Sequence, residues 1–199
     1  SSLIQRSNDG TVYVNSSELP KHHVNTLLYD ENGKPQEQVV YTNTPEQAQK
    51  LNTATTETKL LINLIDQASV LRSEYGKETM AGKKEIKSTY KSLRAQMSLK
   101  IKDINGLGVL SITDIEQFID NIVPNLNAFF DDNVFAKLNT LRKTSIDMLD
   151  AHKNAYVYDP AKDPLNQYAI QPGNENASNA NNIINISSGK SMMFTPEGS

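Results

Sequence analysis

The sequence predicts a mainly α protein, in which a small antiparallel helical bundle follows an N-terminal β-hairpin region and precedes an extended C-terminal arm. Three observations support this prediction. Short alternating apolar stretches flank an Asn-Gly pair near the start of the chain. Apolar residues then recur at steps of three and four, and an asparagine-rich stretch with scattered prolines ends the chain. We therefore divide the chain at residues 1–43, 44–157 and 158–199.

The composition fits one modest domain with appended segments. The 199 residues have a hydrophobic fraction of 37% and a mean hydropathy of −0.52, which is low for a globular domain. The net charge of −3 gives no long-range attraction to nucleic acid. Cysteine is absent, which excludes disulfides and thiolate metal sites. No apolar run reaches the roughly 18–20 residues that span a bilayer, so we expect no transmembrane segment.

Two strand signals occupy the N-terminal region. The first is Val12–Val14, which follows an Asp-Gly turn. The second is a hairpin whose apolar arms, at residues 27–29 and 39–41, are joined through Asn32 and Gly33. An Asn-Gly pair readily supplies the positive φ angles of a tight hairpin turn. Because two or three short strands make a poor independent fold, we expect them to pack against another part of the chain.

The first long helix has a well-marked start and end. Thr44, Pro45 and Gln47 occupy the N-cap, N1 and N3 positions of a capping box. Gly76 follows Tyr75 and predicts the end of the helix there. The second half of this helix lines one face with Leu61, Leu64, Ala68, Leu71 and Tyr75.

Three further helices complete the predicted bundle. The second long helix has an apolar stripe of Ile86, Tyr90, Leu93, Met97, Ile101 and Ile104. A short helix should begin with Thr113 as N-cap and Glu116 as its capping-box partner, and end before Pro124. The last helix has a face of Val134, Leu138, Leu141, Met148 and His152, widened by Phe135, Ile146 and Leu149. We expect His152 at the rim of the bundle. Helices with one apolar side pack together as an antiparallel bundle.

The C-terminal arm combines a polar stretch with an apolar end. Pro160, Pro164 and Pro172 prevent a long helix, and the asparagine-rich run follows them. Such a segment cannot by itself offset the roughly 1–2 kcal/mol of backbone entropy that ordering each residue costs. We therefore predict that its apolar end docks on a neighbouring subunit of a homo-oligomer or multi-copy assembly. The predicted partner-binding residues are Ile183, Ile184, Ile186, Met192, Met193 and Phe194.

The second long helix is also the basic face of an acidic protein. Its clustered cations are Lys83, Lys84, Lys87, Lys91 and Arg94. Clustered cations are sufficient to bind the phosphates of nucleic acid. The alternative is a solvated helix face that pairs with an acidic partner, and the sequence favours this second interpretation.

We predict no catalytic, cofactor or metal site. Gly189 and Lys190 resemble the end of a phosphate-binding loop, but that motif needs glycine where Ile184 stands. His22 and His23 are adjacent, so on a strand they point to opposite faces, and we expect a surface pair. Paired acids could hydrolyse a glycoside, but capping explains several of the acids around the short helix. These acids are Asp114, Glu116, Asp120, Asp131 and Asp132.

A succession of motifs within residues 61–120 resembles a known class of proteins. One helix ends in Tyr75-Gly76, the next contains Tyr90 and Leu93, and a Leu-Gly-Val-Leu-Ser turn at residues 107–111 leads to Asp114. This pattern is similar to a segment of the internal virion proteins of tailed bacteriophages. The resemblance implies a protein packaged in the head or tail, assembled in the host cytoplasm, with other virion proteins as partners. Some members are delivered with the genome, so packaged DNA is a further possible partner.

These inferences lead to an expected function. We expect a non-enzymatic structural component of a bacteriophage particle, located in the virion, that assembles with neighbouring subunits through its C-terminal arm. Three alternatives remain open. The first is an ejected or DNA-proximal internal virion protein with a role in DNA ejection. The others are a bacterial helical adaptor or secretion component, and a small hydrolase with paired acids.

Overall fold

The computed structural model describes residues 3–6, 8–9, 12–106, 112–159 and 192–194. This part of the chain is mainly helical with a small antiparallel sheet near the N-terminus, which confirms the predicted fold class. The strands are β1 Ile4–Arg6, β2 Val12–Val14, β3 His23–Tyr29, β4 Pro35–Tyr41 and β5 Met192–Phe194. The helices are α1 Leu19–His22, α2 Pro45–Tyr75, α3 Met80–Asn105, α4 Ile112–Ile122, α5 Leu126–Phe129 and α6 Val134–Tyr156.

The chain forms two compact units. The described residues of Ser1–Asn52 and Lys153–Ser199 form the first, which we call the strand unit. Thr53–His152 forms the second, which we call the helical unit. Helices α2 and α6 each contribute residues to both units. The grouping therefore differs from the predicted division at residues 43 and 157.

The predicted hairpin is present in the strand unit. Strands β3 and β4 pair antiparallel along their whole length. Gly33 has a φ of 76°, the positive value that its turn position requires. The carboxylate of Asp30 accepts hydrogen bonds from the backbone N–H groups of Asn32 at 2.9 Å and Lys34 at 2.8 Å. These contacts fix the turn and with it the register of the two strands.

A second sheet in the strand unit joins both ends of the chain. Strand β2 lies between β1 and β5 and is antiparallel to both. Val14, which is fully buried, lies opposite Met192 in this register. Leu3, Leu19 and Tyr158 pack with Val14 in a small apolar cluster. The N-terminal strands therefore share a core with residues that follow α6.

The start of α2 confirms the predicted capping box. The backbone N–H of Gln47 donates to Thr44 Oγ1 at 3.1 Å. In return, the backbone N–H of Thr44 donates to Gln47 Oε1 at 3.2 Å. Two N–H groups that a helix start leaves unpaired are thus satisfied. The helix ends at Tyr75, as predicted.

The core of the helical unit is built from the predicted apolar stripes. All six residues of the α3 stripe are buried, together with Leu61, Leu64 and Ala68 of α2. The rings of Tyr90 and Phe129 stack with centroids 3.8 Å apart at the centre of this core. The sequence therefore predicted correctly which faces of α2 and α3 turn inward.

Details of the last helices differ from the predictions. Helix α4 begins at Ile112, so Thr113 is its second residue and cannot be its N-cap. On α6, Phe135 is 43% exposed. His152 is buried rather than at the rim. The inward face of α6 is defined by steps of three and four residues, and His152 stands three residues after Leu149 on that face. The buried residues of α6 are Val134, Leu138, Leu141, Ser145, Leu149 and His152.

Candidate functional site

The five predicted cations of α3 lie along one flank of the helix. With 3.6 residues per turn, Lys83, Lys84, Lys87, Lys91 and Arg94 fall within an arc of about 100°. The helix begins just before them, where the Thr79 side chain accepts a hydrogen bond from the N–H of Gly82 at 3.3 Å. We call the surface formed by these five residues the basic flank.

Two residues of the basic flank lie over aromatic rings. Lys83 Nζ is 5.1 Å from the ring centroid of Tyr75. Lys87 Nζ is 5.3 Å from the ring centroid of Phe130. The two rings are themselves 4.6 Å apart. Each such contact is worth about 0.5–1 kcal/mol at an exposed position, so the rings hold both lysine side chains against the helical unit.

Arg72 of α2 joins this group of rings and cations. Its Nε donates to the backbone carbonyl of Phe129 at 3.0 Å, and its Nη2 donates to that of Phe130 at 3.3 Å. The guanidinium carbon lies 5.4 Å from the centroid of Tyr75. This residue could not be identified from the sequence, because its partners lie more than fifty residues further along the chain and a helical period does not identify them.

Arg94 is the third member of the basic flank with a structural partner. Its Nε donates to the backbone carbonyl of Pro124 at 3.2 Å. Its guanidinium also lies 3.9 Å from the carboxylate of Asp120. Lys84 and Lys91 differ from the other three, because they are exposed and have no hydrogen bond, ion pair or ring contact with any part of the chain that the structure describes. These two lysines are the free cations of the flank.

The same carbonyl of Pro124 also accepts the hydroxyl hydrogen bond of Tyr90. Burial raises the pKa of Tyr90 to about 12, although the positive charge of Arg94 acts in the opposite direction. The phenol therefore remains protonated and donates at neutral pH. This arrangement anchors the end of α4 to the face of α3 that borders the basic flank.

An open groove of about 400 Å³ lies where α4, α5 and α6 come together. Its polar lining includes Asp120, Asn125, Lys137 and Thr140. The side chain of Asn125 already caps α5 by accepting the N–H of Ala128 at 2.8 Å. The hydroxyl of Thr140 already donates to the carbonyl of Ala136 at 3.0 Å. The polar groups of Asn125 and Thr140 thus satisfy the backbone of their own helices.

Several of the histidines and acidic residues make contacts with other residues of the fold. His22 is buried, with Nδ1 2.7 Å from the carbonyl oxygen of Thr42, so the predicted surface pair is wrong for this residue. His23 is exposed beside the ring of Tyr41. Within the described ranges, no three His, Asp or Glu side chains come together as metal ligands. Asp132, predicted as one of a group of acids, lies 3.6 Å from Arg72.

The predicted partner-binding arm is described only at β5. Ile183, Ile184 and Ile186 lie outside the described residues, as do residues 187–191 with the phosphate-loop-like motif. The backbone of Met192–Phe194 pairs with β2 of the same chain. The prediction placed this segment on a neighbouring subunit, whereas in the structure its partner is a strand of the same chain. Docking on a neighbour remains a prediction.

The comparisons with known proteins add no relative. No protein-family model, curated protein or solved structure matches the chain. Within the described residues, none of the helices combines the length and the apolar character that crossing a membrane would need.

Proposed function

We propose that the protein is a non-enzymatic structural component of a bacteriophage particle, and that its copies assemble by exchanging β5. In the assembled form, β5 of one copy pairs with β2 of its neighbour. The observation that carries this proposal is the sheet order β1-β2-β5, in which β5 stands at the edge and, among the described residues, pairs with β2 alone. The role in a particle rests on the motif pattern of residues 61–120.

Strand exchange requires no new interface. A β-ladder is made of backbone hydrogen bonds, and an identical neighbour offers the same β2 edge in the same register. Residues 157–191 stand between α6 and β5 in the sequence. At about 3.3–3.6 Å per extended residue, a connection of this length can reach up to about 100 Å. The connection therefore allows β5 to reach either its own β2 or that of an adjacent copy.

The links that exchange forms between copies are strengthened when many copies assemble. Burying an apolar side chain contributes about 1.5–3 kcal/mol before ordering costs, and β5 contains three apolar residues. In a ring or shell each copy both gives and receives a strand, so that the contacts reinforce one another through avidity. A short strand is therefore sufficient to join copies in a multi-copy assembly.

Cysteine cross-linking tests the exchange directly, since the chain contains no native cysteine. Tyr13 and Met193 are directly opposite in the β2–β5 ladder. Residues in that position have Cα atoms about 4.5–5.5 Å apart, within the range of a disulfide. We expect a mixture of full-length Tyr13→Cys and Met193→Cys chains to form a covalent dimer on oxidation.

The β3–β4 hairpin provides a matched control. Asn25 and Val39 are also directly opposite, but both strands belong to one hairpin, so mixed Asn25→Cys and Val39→Cys chains should form no covalent dimer. If the Tyr13→Cys and Met193→Cys mixture also forms no covalent dimer, while a chain carrying both changes closes an internal disulfide, exchange is excluded. The particle role is tested separately by mass spectrometry of purified virions, and absence of the chain from them would contradict it.

A further inference from the structure

We propose that the basic flank of α3 binds the phosphate backbone of double-stranded DNA without reading its sequence, through Lys84, Lys87 and Lys91. This binding surface lies on the helical unit, whereas β5 and β2 belong to the strand unit. The inference therefore does not depend on strand exchange.

The three lysines have a spacing that suits a row of phosphates. They stand at positions i, i+3 and i+7 of a continuous helix, within an arc of about 60°. With a rise of about 1.5 Å per residue, the row is about 10 Å long. One strand of a duplex rises about 3.4 Å along the duplex axis per phosphate, so a row aligned with that axis covers the rise of about three phosphates.

The acidic residues of α3 lie away from this row. Glu85 and Asp103 each fall about 100° around the helix from Lys84, on the side away from Lys87 and Lys91. Asp120 lies near the flank but pairs with Arg94. An acidic protein thus presents a local strip of positive charge, which is sufficient for phosphate contact at short range because distant charges are screened by salt.

The exposure of each lysine and the contacts that it already makes are compatible with binding a phosphate. Lys84 and Lys91 are exposed and have no partner among the described residues. Lys87 lies over the ring of Phe130, which restrains its side chain. An ammonium group has three N–H donors, and a ring on one side leaves others available to a phosphate oxygen. The row therefore combines two free cations with one that is already positioned.

The neighbouring rings favour a duplex over a single strand. Proteins that bind single strands without sequence preference stack the bases on aromatic rings. Here Lys83 lies over Tyr75 and Lys87 over Phe130, and the ring of Phe129 is buried against Tyr90. The rings beside the flank thus already have partners within the protein. The lysines are then left to contact the phosphate backbone of the nucleic acid.

The salt dependence of DNA binding by the full-length protein tests this inference. We would measure fluorescence anisotropy with a labelled duplex of mixed sequence. Each neutralised phosphate contributes about −0.9 to the slope of log K against log salt concentration, so three contacts predict a slope of about −2.7. The double substitution Lys84→Glu/Lys91→Glu should bring the slope close to −0.9 and weaken binding about tenfold or more at low salt.

A second pair of lysines supplies the matched control. Lys59 of α2 and Lys143 of α6 are exposed, and Lys59→Glu/Lys143→Glu changes the net charge by the same amount. Because salt screens distant charges, this variant should lower the affinity for the duplex by less than about threefold. Three results would overturn the proposal: equal losses in the two double variants, tighter binding of a single strand than of the duplex, or tighter binding of polyglutamate than of DNA.

Discussion

At the scale of single residues, the most informative side chains are those that bind backbone carbonyls on other elements. Arg72 donates hydrogen bonds to two backbone carbonyls at the end of α5. Tyr90 and Arg94 both serve the carbonyl of Pro124, just after α4. Carbonyls at helix ends have no partner within the helix, so donors from α2 and α3 fix the turns around α5. The cations near the basic flank therefore have structural roles as well as charge.

Substitutions at Tyr90 should separate the contribution of its hydroxyl from that of its ring. Tyr90→Phe loses one hydrogen bond, but Arg94 still donates to Pro124, so we expect a loss of about 1 kcal/mol in the free energy of unfolding. Tyr90→Ala also loses the stacking on Phe129 and leaves a cavity, so we expect about 3–5 kcal/mol. Urea unfolding measures both values. Equal losses in the two variants would show that the hydroxyl, rather than the ring, is decisive.

His152 should make the stability of the protein depend on pH. Its Nε2 lies 3.0 Å from the carbonyl oxygen of Ile104, and burial lowers its pKa below the ordinary value of 6.5. Below pH 6.5 the unfolded chain therefore binds this proton more readily than the folded chain. The resulting stability is complete above pH 6.5 and is lost as the pH falls through the folded pKa.

Substitution by glutamine tests this dependence, because glutamine retains a donor but does not titrate. The free energy of unfolding of His152→Gln should fall less steeply below pH 6.5 than that of the unsubstituted protein. His23→Gln makes the same substitution at an exposed position and serves as the control. Equal flattening of the profile by both variants would contradict a specific role of His152.

At the scale of elements, periodicity predicted the long helices well and the inward register of α6 less well. The α3 stripe is purely apolar, so its inward face could be identified from the sequence. On α6 the inward position between Leu141 and Leu149 is Ser145, and a polar residue there disguises the pattern. Its hydroxyl donates to the carbonyl of Leu141 at 2.7 Å. A small residue whose polar group is satisfied within its own helix can thus be buried.

The pairing of distant elements could not be predicted. The strand signal of β2 was evident, but its partner β5 stands at the other end of the chain. The basic flank was likewise evident, whereas Arg72 and the rings under Lys83 and Lys87 were not. A helical or strand period determines which residues share a face. The period does not show which other element packs against that face, because this depends on how the whole chain folds.

The capping box of α2 gives a prediction for a single element. Thr44→Ala removes the side-chain oxygen that accepts the N–H of Gln47, and we expect a loss of about 1 kcal/mol in the free energy of unfolding. Thr53→Ala is the matched control, since Thr53 is exposed inside α2. Alanine has the higher helix propensity, so this change should be neutral or slightly stabilising. Equal destabilisation by both changes would contradict a role for the cap.

At the scale of the whole molecule, the strand unit depends on residues that are far apart in sequence. Tyr158 completes the small apolar cluster with Leu3 and Val14. Lys153 Nζ donates to the carbonyl of Leu27 at 3.0 Å and to Gln38 Oε1 at 3.2 Å. The end of α6 therefore stabilises the hairpin through Lys153, and Tyr158 just after α6 stabilises the second sheet. This explains how strands too short to fold alone are held.

A proline in β5 should separate assembly from folding. Proline cannot donate to a ladder and is excluded from the interior of paired strands, so Met193→Pro should abolish exchange in the full-length chain. The large core cluster of the helical unit lies wholly within Thr53–His152. We therefore expect light scattering to show monomers, while thermal unfolding followed by circular dichroism retains the midpoint of the helices. Asn181→Pro, eleven residues before β5, is the control and should assemble normally. Normal assembly of Met193→Pro would mean that a surface other than β5 joins the copies, whereas a lowered helical midpoint would mean that β5 also stabilises the bundle.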